Sequence, residues 1–247
     1  MDLNTIKFGS LVGLGEASHG TCEYQRARLE IIKYLNSKGP IQVFIEARFV
    51  PIELLKKPGL SKTEFIEKIK NVPLFSFMKS KFFCKILWYL YKNHIPFFGV
   101  DTQINDLDTL HHPILEWINE YNKNNSNRSD GMIKLISLIW DKSTRGVFIA
   151  HNYHVSKYVG FPGTSIGFAT LKGTVRHYDN IKNKFIITKL KYEDQELNYN
   201  KPKILKTKKW FYSSGESNDS DMQQLEGNNF DYVIYIPKTT AIPIDIF

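Results

Sequence analysis

Residues 11–24, which read LVGLGEASHGTCEY, decide the fold. Their first four residues form an apolar run that predicts a buried strand, and the apolar spacing over 24–35 predicts a helix after it. Glu16 and His19 fall in the turn between the two. A carboxylate near an imidazole at the mouth of a strand-to-helix turn favours acid–base chemistry over packing.

Three further apolar runs stop at an ionisable residue in the same way. They are residues 41–45 before Glu46, residues 95–100 before Asp101 and residues 146–150 before His151. Helical patterns separate the runs, so we expect an α/β fold with a mostly parallel β-sheet flanked by helices. Ligands of such sheets bind outside the carboxyl ends of the strands, where these side chains would meet in one cleft.

The pattern changes after about residue 164, where short β-prone segments follow one another with few helices between them. These segments lie at 184–191, 209–212 and 230–236. We expect them to extend the same sheet, with additional antiparallel strands in the C-terminal third. The polar stretch 119–130 predicts an exposed loop. A chain of 247 residues fits one domain over 1–247.

Composition and charge argue against several classes of protein. The net charge is +8, but only six of the 33 basic residues are arginines, which is not typical of nucleic-acid binding. We see neither a signal peptide nor a run near the roughly 18 apolar residues of a membrane span. Cys22 and Cys84 lack metal-finger spacing. We therefore expect a cytoplasmic protein that binds neither nucleic acid nor membranes.

The turn at 15–20 is open to two interpretations. In the first, Glu16 orients His19 and raises its basicity, which makes His19 a general base on water. In the second, Ser18 or Thr21 caps the helix and the ionisable pair is merely exposed. Arg28 lies nine residues past His19. It is a candidate to hold an anion or a developing oxyanion, unless it is an ordinary surface arginine.

The fourth apolar run leads into HNYH at 151–154. His151 is a candidate second acid–base group or donor to an oxyanion, and His154 faces the same site or caps the next helix. Histidines at this spacing also ligate metals, and with the carboxylates at the other strand ends they would form a mixed nitrogen and oxygen set. Because no tight motif such as HExxH is present, a metal is left open but is not indicated.

Two patterns for a nucleophile are weaker. Residues 163–167 read GTSIG, which matches the GxSxG of a nucleophile elbow. An elbow needs a strand before its serine and a helix after it, whereas Pro162 disfavours a central strand here. Cys22 is better explained as a small buried residue at a helix start than as a thiolate.

Blocks spread over nearly the whole chain carry a family resemblance. They are GEASHGTCEY at 15–24 with Arg26 and Arg28, IEA at 45–47, YLYKN at 89–93, FGVD at 98–101, AHNYHV at 150–155 and FDYVI at 230–234. In residues and order they are similar to the erythromycin esterase family, and the first block is the most specific. The resemblance implies an α/β core with a deep cleft. It also implies a histidine that acts as general base on water, without a covalent acyl-enzyme.

The resemblance gives each candidate a role. It implies His19 as the base, Glu16 as its supporting carboxylate, Arg28 as a cleft arginine, Glu46 as a second carboxylate and His151 as a second histidine. Macrolide-hydrolysing members are longer and wall a large cleft with helices, so this chain is expected to hydrolyse another ester or lactone. Tolerance of metal chelation varies in the family, which leaves metal dependence open.

The sequence therefore predicts a hydrolase of a small-molecule ester or lactone without a cofactor. Three further residues are predicted to contact the substrate: Asp101, His154 and Arg48. One alternative is a non-catalytic or effector module that binds a small ligand on the same fold, and another is a metal-dependent hydrolase of a different ester class. No oligomeric state is predicted.

Overall fold

The segment at 11–24 folds into the central strand of a sheet and the start of the helix behind it. The structure is a computed structural model that describes residues 1–103, 112–170, 172–179, 184–191, 201–206, 210–214, 222–226 and 229–242. Its strands are β1 (Leu11–Leu14), β2 (Ile41–Arg48), β3 (Phe97–Asp101), β4 (Arg145–Ile149), β5 (Thr164–Ala169), β6 (Lys172–Asp179), β7 (Lys184–Lys191), β8 (Lys203–Leu205), β9 (Trp210–Ser214), β10 (Met222–Glu226) and β11 (Tyr232–Tyr235).

The main sheet contains seven strands in the order β3-β2-β4-β1-β5-β11-β8. Every neighbouring pair from β3 to β11 is parallel, and β8 pairs antiparallel with β11 at the edge. With helices between the strands, this is the expected α/β fold with a mostly parallel sheet.

Helices connect the parallel strands and cover both faces of the sheet. They are α1 (Cys22–Ser37), α2 (Phe49–Glu53), α3 (Lys62–Asn71), α4 (Lys81–Lys92), α5 (Pro113–Asn124), α6 (Arg128–Ile139) and α7 (Asn152–Val155). Short 3-10 turns lie at Leu3–Thr5, Leu54–Lys56, Ser76–Lys79 and Lys157–Val159. Within the described residues, no helix combines the length and the apolar character needed to cross a lipid bilayer.

The central strands are buried on both sides. In β4, Val147 and Ile149 join the apolar cluster under α1, α3 and α4, whereas Phe148 joins the cluster under α5 and α6. Because successive side chains of a strand point to opposite faces, a strand covered on both faces is a continuous apolar run. Polar side chains are accommodated where these strands end, which is where the candidate residues lie.

The C-terminal third differs in part from the expectation. Residues 232–235 do extend the main sheet as β11, and β8 forms its antiparallel edge. The segment 184–191 instead pairs with β6 in a separate antiparallel ribbon, and β9 pairs with β10 in another. Lysines recur along 184–191. A charged strand of this kind suits a ribbon that faces water better than the interior of a doubly covered sheet.

The predicted loop at 119–130 is mostly helical. Helix α5 continues to Asn124, and α6 already begins at Arg128. The polar side chains that suggested a loop lie on exposed faces of these helices and in the short connection between them. Asn127 caps α6 by accepting a hydrogen bond from the N–H of Asp130 at 3.1 Å. The correction matters because it places Arg128 at a helix start beside the sheet.

Candidate active site

Parallel strands bring the predicted charged residues to one edge of the sheet. Glu16 follows β1, Asp101 is the last residue of β3, and His151 follows β4. Glu46 lies inside β2, two residues before its end. All four residues are at most 4% exposed. The result is a buried polar cluster at the carboxyl ends of four neighbouring strands.

A bulge next to Glu46 interrupts the pairing of β2 with β3. The register shifts between Ile45 and Arg48. Gly99 sits against this bulge, and a Cβ on it would lie 2.3 Å from the carbonyl oxygen of Arg48. Bulges of this kind re-aim side chains next to active sites, and here the close backbone approach requires glycine.

The main chain around Glu16 is fixed by Asn152, the first residue of α7. The side chain of Asn152 donates to the carbonyl of Phe168 at 2.9 Å and accepts from its N–H at 3.0 Å. The N–H of Asn152 donates to the carbonyl of Glu16 at 2.9 Å. A Cβ on Gly15 would lie 2.1 Å from Asn152 Oδ1, so a larger residue there would displace the side chain of Asn152.

Glu16 and His19 form a hydrogen-bonded dyad. The Oε1 atom of Glu16 lies 2.8 Å from His19 Nδ1, and its Oε2 accepts from Gln25 Nε2 at 2.5 Å and from Arg28 at 3.1 Å. Burial alone would raise the pKa of Glu16, but the charge of Arg28 and the hydrogen bond from His19 bring the pKa below its ordinary value. An ionised Glu16 holds the proton of His19 on Nδ1, which leaves Nε2 as the acceptor.

Arg28 does not reach over the cleft, contrary to the prediction. It is 1% exposed, and each of its three nitrogens contacts acceptors inside the protein. These acceptors are the carbonyls of Gly15 at 3.1 Å, Leu14 at 2.9 Å and Ala150, and the side chains of Glu16 at 3.1 Å and Gln25 at 3.4 Å. Because Arg28 is buried in these contacts, it positions Glu16 and ties the end of β1 to the end of β4.

The His19 ring lies between an aromatic ring and a second imidazole. Phe77 stacks on it with the centroids 4.6 Å apart and the planes 17° apart, and the His151 ring lies at 5.1 Å. The His19 side chain is 29% exposed, and its Nε2 lies 4.0 Å from Glu46 Oε1. Burial alone would lower the pKa of His19, but the hydrogen bond to Glu16 and the charge of Glu46 raise it, against an opposing effect of Arg128.

Glu46 is held as a carboxylate by three groups. Its Oε1 accepts from Arg128 Nη2 at 2.9 Å and lies 3.4 Å from His154 Nε2. Its Oε2 accepts from the N–H of His151 at 2.7 Å. Burial would raise the pKa of Glu46, but His154 and Arg128 bring the pKa well below its ordinary value.

Arg128 is the main residue that the sequence prediction missed. It forms a bidentate pair with Asp101, with Nε to Oδ1 at 3.0 Å and Nη2 to Oδ2 at 2.9 Å. Its side chain is 23% exposed, so it reaches the surface of the cluster where Arg28 does not. Two signals were present in the sequence: arginine is scarce, and Asn127 with Asp130 forms an N-cap pattern that starts a helix.

The two histidines of HNYH both belong to the cluster. His154 is buried, with Nδ1 2.8 Å from Ser129 Oγ and Nε2 3.2 Å from Arg128 Nη1. His151 Nδ1 accepts from the N–H of Tyr153 at 3.3 Å. In a neutral His151, the proton therefore sits on Nε2.

Arg48, also predicted to contact substrate, occupies a different setting. It is half-buried where β2 meets α2, and its Nη2 donates to the carbonyl of Pro73 at 2.7 Å. Pro73 belongs to the connection that leads to the 3-10 turn carrying Phe77. This contact gives Arg48 a supporting role for the segment that stacks on His19.

The capping interaction of the second interpretation is not present at the start of α1. Ser18 and Thr21 hydrogen-bond to each other at 2.6 Å, and Thr21, the N-cap residue, makes no side-chain capping bond.

Burial raises the pKa of Cys22 to about 11, which disfavours a thiolate. Ser165 of GTSIG lies buried inside β5 and donates to the carbonyl of Val155, so the sequence forms no nucleophile elbow.

Among the residues that the structure describes, no group of three or more His, Cys, Asp and Glu side chains is arranged to hold a metal ion. The histidines and carboxylates of the cluster are instead engaged with one another and with Arg28 and Arg128.

Several solved structures share the fold at low sequence identity. A Bacillus cereus protein matches with 15% identity and a TM-score of 0.65, over 98% of this chain and 91% of that one. A succinoglycan biosynthesis protein matches with 16% identity and a TM-score of 0.62, over 96% and 89%. An erythromycin esterase mutant in its open conformation matches with 12% identity and a TM-score of 0.63, over 95% and 92%.

These similarities establish the fold alone, because all three identities are low. Neither the models of protein families nor the sequences of curated proteins match the chain. The chain thus shares its α/β fold with an erythromycin esterase.

Proposed function

We propose that this protein hydrolyses an ester or lactone bond with His19 as general base on water. The observation that carries the proposal is the position of the His19 ring between two buried carboxylates. Its Nδ1 is bonded to Glu16 at 2.8 Å, and its Nε2 lies 4.0 Å from Glu46. The shared fold with an erythromycin esterase supports the same class of reaction.

The first step is proton transfer from water to His19 Nε2. A water molecule that donates one proton to Nε2 and the other to Glu46 Oε1 would have its oxygen lone pair aimed outward at a substrate carbonyl. Ionised Glu16 stabilises the imidazolium that forms, as a buried carboxylate does in other histidine-base enzymes. Such a base contributes about 10²–10⁴-fold to the rate.

Addition of the water oxygen to the carbonyl carbon places a negative charge on the carbonyl oxygen. The Nε2–H of His151 is the proposed donor to this oxyanion, since its Nδ1 is occupied by the N–H of Tyr153. The C–O bond of the ester then breaks, and the His19 imidazolium returns its proton to the leaving alcohol. Acid and alcohol are the products, and no bond to the protein forms at any step.

Arg28 and Arg128 have separate tasks in this scheme. Arg28 keeps Glu16 ionised from inside the protein, while Arg128 does the same for Glu46 and also pairs with Asp101. Arg128 alone of the two is partly exposed at the cluster surface, so it is the arginine that would face the substrate.

The test is a hydrolysis screen with a matched pair of histidine variants. The full chain is incubated with 4-nitrophenyl esters, aliphatic lactones, erythromycin and phosphoesters, with and without chelator. His19→Ala should abolish turnover while leaving the circular dichroism spectrum unchanged, and free imidazole should restore part of the rate. His94→Asn is the control, because His94 is exposed and has the positive φ that asparagine tolerates.

Two further readouts decide the mechanism. In ¹⁸O-labelled water, a single turnover should place the label in the acid product, and added hydroxylamine should trap no acyl-enzyme. Full activity of His19→Ala on a true substrate would remove the proposed base. Binding of a compound of the panel without any product would make the protein a binding module on the same fold.

A further inference from the structure

We propose that a basic cavity at the other end of the sheet, where the parallel strands begin, binds a small phosphate monoester with an apolar body. The cavity has a volume of about 720 Å³ and lies against the residues that begin β1, β5 and β11. Because these strands are parallel, their starts lie at the edge away from Glu16 and His19. Ligand sites of soluble proteins have volumes of this size.

The charge of the cavity is positive. Lys7, Lys157 and Lys206 line it together with a single carboxylate, Asp231. Lys157 Nζ is committed, since it donates to Asp231 and to the carbonyl of Gly163 at 2.9 Å each. In the described part of the chain, no carboxylate pairs with Lys7 or Lys206. Two positive charges therefore remain, which match the dianion of a phosphate monoester.

Three apolar side chains form the floor of the cavity, and one of them positions the ammonium group of a lysine. Leu11, Phe230 and Tyr232 line it and are buried. The Lys206 ammonium lies over the Tyr232 ring, 5.1 Å from its centroid. The hydroxyl of the same tyrosine accepts from the N–H of Lys7 at 3.0 Å, which draws the start of the chain against the floor. A ligand with an apolar body on this floor would present its phosphate to both lysines.

The experiment is isothermal titration calorimetry of the full chain with phenyl phosphate, and inorganic phosphate is the comparison ligand. We expect one saturable site, tighter for phenyl phosphate because only it covers the apolar floor, and weaker at high salt. The double variant Lys7→Ala/Lys206→Ala should weaken binding at least roughly tenfold, or about 1.4 kcal/mol, because it removes both of the remaining positive charges.

Two controls locate the ligand. Lys123→Ala removes a lysine whose side chain is 69% exposed on α5, and it should leave the affinity unchanged. His19→Ala should also leave it unchanged, because the cavity lies at the other edge of the sheet. The proposal is overturned if no saturable binding occurs in the millimolar range, if the double variant binds as tightly as the parent, or if His19→Ala abolishes binding.

Discussion

The candidate active site has two halves that differ in how the chain builds them. The Glu16 cluster (Glu16, His19, Gln25 and Arg28) comes from 13 consecutive residues, 16–28. The Glu46 cluster (Glu46, Asp101, Arg128, Ser129 and His154) comes from residues spread over 46–154. Each cluster has one arginine that holds a buried carboxylate, but Arg28 is 1% exposed and the Arg128 side chain is 23% exposed.

Because of this difference in burial, we expect Arg28 to contribute mainly to the stability of the protein and Arg128 mainly to substrate recognition. Arg28 bonds to main-chain carbonyls of two strands and so belongs to the frame of the sheet. Arg128 bonds to side chains only in its described contacts, and it reaches the solvent beside His19 and Glu46. We therefore expect damage to the Glu16 cluster to unfold the protein more readily than damage to the Glu46 cluster.

The largest expected effect comes from removing the two arginines in turn. Arg28→Met leaves Glu16 buried without its counter-charge and removes the donor to the carbonyls of Gly15 and Ala150, and it should lower the free energy of unfolding by about 3–5 kcal/mol. Arg128→Met should cost about 1–3 kcal/mol, because its bonds are partly exposed to water. Urea denaturation of both variants measures the difference. Equal losses would mean that the two clusters do not differ as their burial implies.

Replacing one glycine in each half by alanine tests how closely the neighbouring atoms pack against the backbone there. Gly99→Ala should cost about 1–3 kcal/mol, and more than Gly15→Ala. The new methyl group at 99 would meet carbonyl oxygens of the β2 bulge at 2.3 and 2.6 Å, and a backbone cannot rotate away. At 15 the nearest atom is a side-chain oxygen of Asn152, which can move. Urea midpoints in the reverse order would show that the bulge, rather than Asn152, yields.

The sequence predicted the Glu16 cluster better than the Glu46 cluster for a physical reason. Glu16 and His19 meet because one turn joins a strand to a helix, and such local geometry is encoded in adjacent residues. The strand ends were also predictable, because apolar runs that stop at Glu46, Asp101 and His151 imply parallel strands.

The missed features depend on tertiary packing. Arg128 reaches the cluster because α6 starts beside β3, and the polar sequence before it suggested a loop instead. Arg28 shows the opposite limit, since the sequence marked it as a candidate but did not show that it is buried and bonded to main-chain carbonyls, Glu16 and Gln25. Phe77 has no pattern in the sequence that ties it to His19, and only the 3-10 turn at 76–79 brings the two rings together.

The pH dependence of hydrolysis sharpens the comparison, because Glu16 in one half raises the pKa of His19 whereas Arg128 in the other half lowers it. The proposed base would act as a neutral imidazole, so the rate should rise with pH through the raised pKa of His19. Glu16→Gln removes a charge that raises this pKa, so the acid limb of the pH profile should move to lower pH. Arg128→Met removes a charge that lowers it, so the limb should move to higher pH.

The control for these shifts is Glu23→Gln, which removes a carboxylate from the same helix start without a part in the His19 cluster. Its pH profile should coincide with that of the parent. A limb that moves in the same direction in Glu16→Gln and Arg128→Met would assign it to a group other than His19.

The smallest expected effect comes from replacing Phe77, whose ring stacks on His19. Phe77→Leu should lower kcat/KM about 2- to 10-fold, because a stacked ring pair is worth about 0.5–1.5 kcal/mol and its loss lets the imidazole turn away from Glu16 and Glu46. Phe75→Leu is the matched control: Phe75 is 39% exposed and stacks on Phe77 at 6.0 Å, one ring further from His19. If the two variants lose activity equally, the turn acts as a unit and the contact with His19 carries no special weight. A loss confined to Phe77→Leu, with the acid limb of the pH profile unmoved, means that the ring holds the base in place without tuning its charge.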